Sequence, residues 1–77
     1  MINKLIKTKV LLKDLQAQGW LWSCAAIGFD DEDTNIETDM QAARDWCKRV
    51  DIEVKTHYTQ FYFKSREDQI TFVLRWG

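Results

Sequence analysis

Nucleophilic catalysis would need a base beside a nucleophile, and the chain offers one histidine, His57, and two cysteines, Cys24 and Cys47. A reactive thiolate requires a cysteine held against a histidine or another cation. Both cysteines fall instead inside regular apolar patterns, where a cysteine serves as a small buried hydrophobe. No C-x-x-C or H-x-x-x-H spacing occurs to hold zinc. The sequence therefore predicts no catalytic set, no metal and no other cofactor, and reads as a protein that is not an enzyme. A bridge between Cys24 and Cys47 is open if both face one core. Two cysteines behind a charged N-terminus without a secretion signal fit free thiols in a reducing cytoplasm better.

Asp30-Asp31-Glu32-Asp33 places four acids in a row. A calcium loop needs acids at alternate positions, a glycine for its turn and a closing glutamate about twelve residues along. Adjacent carboxylates do not converge on one point, so the run reads as a solvated loop ahead of a helix N-terminus. Its interest is electrostatic. Residues 30 to 39 hold six acids and no base, whereas residues 1 to 13 hold four lysines (Lys4, Lys7, Lys9, Lys13) and no acid. The whole chain balances to −1. That balance removes a whole-molecule case for nucleic-acid or membrane attraction, while the segregation can still steer a charged partner.

Ten of the 77 residues are aromatic. Phe61-Tyr62-Phe63 ahead of a capped helix resembles the third strand and second helix of the RNA-recognition-motif platform, where exposed rings stack on bases. The candidates for such a surface are Lys55, Tyr58, Phe61, Tyr62 and Lys64. The glycines and leading basic residue of that family's signature are absent, and Gln60 stands in their place. Core packing is the preferred reading of these rings.

The elements that must position these groups follow from periodicity. Val10, Leu11, Leu15 and Gln18 have helical spacing, with Thr8 as N-cap and Gly19 as the left-handed C-terminal residue, so a first helix is predicted over 8–18. Residues before Thr8 read as an extension of it or a short strand. Trp20 to Phe29 is apolar on both alternating faces, the pattern of a central strand covered on both sides. Thr34 and Glu37 form a capping box for a helix whose stripe is Ile36, Met40, Ala43, Cys47 and Val50. Between Ile52 and Lys64 the apolar parity reverses near His57 to Gln60, which predicts two strands and a tight turn, one long bulged strand being the alternative. Ser65 to Asp68 is a second capping pattern, opening a helix with Ile70, Val73, Leu74 and Trp76 inward.

The sum, α-β-α-β-β-α, predicts a single α+β domain over 1–77: a small two-layer sandwich of about three strands with helices on one face. Three strands are marginal at this size, and a fourth from the N-terminus or a second copy of the chain would help.

The closing stretch from Phe61 to Gly77, with F-x-F running into Glu67-Asp68 and then Phe72-x-Leu74-x-Trp76, resembles the ends of small uncharacterised tailed-bacteriophage proteins. It departs from them at Gln69, where alanine is usual. The resemblance implies expression in a bacterial cytoplasm and an accessory role such as modulation or inhibition of a host or phage protein, without assigning any functional residue.

These readings lead to a small non-enzymatic protein-binding factor. Its expected contacts are the acidic run Asp30, Asp31, Glu32 and Asp33 with Trp20 or Trp22 as anchors. A single-stranded nucleic-acid module on the aromatic strand is the alternative, and a self-assembling subunit, such as a homodimer paired through a sheet edge, is the third class. No segment reaches the roughly 18 apolar residues of a membrane span.

Overall fold

The computed structural model describes residues 2–29 and 36–77. In chain order the elements are β1 (Ile2–Lys9), α1 (Lys13–Ala17), β2 (Trp22–Phe29), α2 (Ile36–Arg49), β3 (Val54–His57), β4 (Gln60–Phe63) and α3 (Arg66–Trp76). The strands form one antiparallel sheet in the order β1-β2-β4-β3. The class is α+β, and the segment read as a central strand lies between two others. Among the described residues no helix is long and apolar enough to cross a membrane.

The N-terminus departs from expectation. The sheet has four strands rather than about three, because Thr8 and Lys9 pair with Ser23 and Trp22 instead of opening a helix. Thr8 is thus no N-cap; its hydroxyl lies 2.6 Å from that of Ser23. An isolated helix of about eleven residues is marginal in water, whereas strand pairing to β2 satisfies the same backbone groups through the sheet. The helix survives only as the short α1. Gln16 Nε2 donates to the Val10 carbonyl at 2.6 Å and ties it back to the end of β1.

Gly19 has the left-handed conformation expected of it, with φ 93°. Its amide donates to Gln16 and that of Trp20 to Leu15, which is the Schellman pattern, and Leu15 and Trp20 make its apolar contact. The same device ends α2. Asp51 takes the left-handed position with φ 65°, Asp51 N donates to Lys48 and Ile52 N to Cys47, and Cys47 and Ile52 meet in the core.

Strand register sorts the side chains into two layers. Cys24, Ala26, Phe61 and Phe63 share the face covered by α2 and α3, where they join Met40, Ala43, Cys47 and Phe72. Tyr62 points the other way and packs with Val10, Leu15 and Trp20. Helices therefore lie on both faces rather than one, α1 covering part of the second. Ile2 and Leu5 differ in parity, yet both reach the main core. Register shifts between them, on either side of Lys4, supply the bulge that this requires.

Met40, Ala43 and Cys47 form the buried stripe of α2 as predicted, while Ile36 and Val50 at its ends are exposed. The Thr34 cap lies outside the described residues. Ser65 caps α3 as expected, its Oγ accepting from the Asp68 amide at 3.1 Å. The inward face of α3 is turned only in part from the predicted one: Val73 and Trp76 pack against the core as expected. Gln69 and Phe72 are buried and Leu74 is 81% exposed. This rotation lets Gln69 Nε2 donate to the Ser23 carbonyl at 2.6 Å. It also sets the Phe72 ring 4.6 Å from Phe61 and 5.2 Å from Phe63. The turn at Tyr58 and Thr59 joins β3 to β4, so the two-strand reading holds.

Phe72→Ala should cost about 3–5 kcal/mol in urea unfolding, because a fully enclosed ring leaves a cavity. Leu74→Ala should change stability by no more than about 0.5 kcal/mol, as an exposed position does. Equal effects would contradict the orientation of α3.

Candidate functional site

Three expected sites can be placed against this frame. His57 lies on the α1 side of the sheet, out of step with Phe61 and Cys24, so it does not pair with either buried thiol. Both cysteines are free. Burial pushes the Cys24 thiol up from 9.0 to about 12, helped by Cys47, and the Cys47 thiol up from 9.0 to about 11, helped by Asp68. Neither is an activated nucleophile. The acidic run Asp30, Asp31, Glu32 and Asp33 lies outside the described residues.

The aromatic-platform residues separate. Phe61 is fully buried beneath α3 and offers no ring face to a base. Tyr62 is buried on the other side, its hydroxyl donating to Gln60 Oε1 at 2.7 Å. Lys64 pairs with Glu53 at 3.5 Å and sits 4.9 Å above the largely buried Trp20 ring. Lys55 and Tyr58 are exposed. Of the two proposed tryptophan anchors, Trp20 is packed against Tyr62 and Trp22 is 37% exposed.

What the fold brings together is a groove on the face that α1 only partly covers. A hollow of about 480 Å³ lies between α1 and β3, with Leu12, Lys13 and Leu15 on one wall, Lys55 and His57 on the other and Tyr62 as its floor. A second hollow of about 350 Å³ shares Leu12, His57 and Tyr62 and continues to Leu11 and Tyr58. Leu11 is 83%, Leu12 57% and Tyr58 85% exposed. Ile6 and Ile27, on the same sheet face by register, are exposed as well.

Tyr58 is held at φ 54°, a left-handed conformation that glycine or asparagine adopts at lower cost. Its ring meets His57 edge-on at 4.5 Å. The groove is cationic at its rim, where Lys13 and Lys55 face one carboxylate, Asp14. Its floor is rigid, because Tyr62 belongs to a strand buried on both sides.

Periodicity puts Leu11 on a helical stripe, with Leu12 widening it, and misses their place in a groove. A usable signal was present in the alternation of Ile6, Thr8 and Val10 with Lys7 and Lys9, which is strand-like and moves the helix start beyond Leu12. The chain matches no protein-family model, no curated protein and no solved structure, so the site is read from its geometry.

Two measurements check these assignments. Tyr58→Gly should raise stability by about 0.5 kcal/mol, since relief of the left-handed strain outweighs the added freedom of the unfolded chain. The thiols keep their protons in the folded state at a pH where the unfolded chain loses them. Stability from this source is complete below pH 9.0 and is lost as pH rises towards about 11 for Cys47 and about 12 for Cys24. Melting temperature followed between those limits should fall less in Cys24→Ala/Cys47→Ala than in the wild type.

Proposed function

We propose that the protein is a non-enzymatic binding module that docks on another protein through the groove between α1 and the β3–β4 hairpin and so modulates that partner. The observation that carries this reading is the exposed cluster of Leu11, Leu12 and Tyr58 bordering a preformed hollow. Contiguous apolar surface of this kind is kept for contact, and an exposed tyrosine is a frequent anchor of binding energy. A strained backbone at a residue without a role in the core supports the same conclusion.

Lys13 and Lys55 on opposite walls favour a partner segment that carries carboxylates among aliphatic side chains. An accessory factor of the bacteriophage type, working in a bacterial cytoplasm, would inhibit its target by covering that segment.

The test is affinity capture from nuclease-treated bacterial lysate by the wild type, by Leu11→Asp/Tyr58→Asp and by Leu74→Asp. A partner held by the wild type and Leu74→Asp but lost from the double variant, with all three proteins melting cooperatively, is the expected result. Retention by the double variant, loss of the partner on nuclease treatment, or capture of nothing but a second copy of the chain overturns the reading.

A further inference from the structure

Beyond the apolar groove, β1 and the first turn of α3 enclose a cleft of about 460 Å³ lined by Lys7, Lys9, Trp22, Arg66 and Gln69. Lys7 and Lys9 are two residues apart on one strand and point the same way, opposite Cys24 and Trp22. Arg66 arrives from the helical layer. Among the described residues none of these three side chains is ion-paired, although Arg44 reaches Glu37 at 4.0 Å and Lys64 reaches Glu53 at 3.5 Å. Glu67 and Asp68 follow Arg66 in the chain without lining the cleft. Asp68 instead acts on Cys47. The indole of Trp22, whose strand position pairs with Lys9, lines the same cleft and is 37% exposed.

Lysines on an edge strand have an ordinary purpose, which is to keep another sheet from pairing with it. Charge anywhere along β1, Lys4 included, serves that purpose. It does not account for Arg66, nor for an exposed indole lining the same cleft.

We infer that this cleft binds the backbone of a single-stranded nucleic acid, with Lys7, Lys9 and Arg66 on phosphates and Trp22 stacked on a base. The residue types decide between polyanions. An acidic peptide would engage the cations but leave the indole unused, and the cleft has no aliphatic wall for its other side chains. A phosphodiester strand uses both features. The chain's charge of −1 does not oppose it, because the field at contact is set within a screening length of about 8 Å. The cleft is separate from the docking groove except at Lys9, which borders both.

Anisotropy titrations of labelled oligothymidylate and oligouridylate against the intact protein test the inference. Three neutralised phosphates predict affinity falling about 20-fold between about 50 and about 200 mM salt. Arg66→Gln and Lys7→Gln should each remove about a third of that salt dependence, while Lys48→Gln, which removes an equal charge from the exposed side of α2, changes nothing. Trp22→Ala should weaken binding at least about fivefold. Since that variant can disturb β2, Trp22→Phe provides a second reading: the oligonucleotide quenches tryptophan emission in the wild type and not in Trp22→Phe.

A preference for either sugar supports the site and assigns its ligand. No binding at low salt, binding indifferent to both Arg66→Gln and Lys7→Gln, or competition by polyglutamate as strong as by the oligonucleotide overturns it.

Discussion

The ring of Phe72 resting on Phe61 and Phe63 is the contact on which the rest of the structure depends. It joins the last helix to the fourth strand, and Trp46 and Trp76 close around it from α2 and α3 at 6.2 Å each. A 77-residue chain has room for few such centres. Here one face of β4 carries the principal core and the other, through Tyr62, carries the second. The strand is thereby clamped from both sides, and everything that pairs with it inherits its position.

A polar chain runs beside that aromatic centre. Thr8 meets Ser23 side chain to side chain, and Gln69 reaches the Ser23 carbonyl, so β1, β2 and α3 are linked across both layers. Buried polar groups are tolerated only when partnered, and these partners are specific in direction. The Gln69 amide ties α3 to β2, with Phe72 inward and Leu74 out.

Both surfaces proposed for binding follow from this arrangement. Clamping β4 gives the docking groove a fixed floor in Tyr62, while the shortness of α1 leaves Leu11 and Leu12 without cover. Seating α3 over β2 brings Arg66 to the lysines of β1 and leaves Trp22 at the margin of the core. Two thiols in the same core are protected by burial.

Local pattern was sufficient for much of this protein. The spacing of Met40, Ala43 and Cys47, the Ser65 cap, the left-handed Gly19 and the parity reversal before Phe61 are each decided by neighbours a few residues away, and each is legible in the chain. Tertiary structure decided the remainder. Whether Thr8 starts a helix or ends a strand depends on Ser23, fifteen residues distant. Leu74 is exposed and Gln69 buried where α3 is seated on β2 through the Gln69–Ser23 hydrogen bond. Leu11, Tyr58, Lys7 and Arg66 acquire their proposed roles only when strand order makes neighbours of segments far apart in the chain. Helical and strand periods report which residues share a face; pairing across the sheet determines what that face meets, and that information is carried by no single segment.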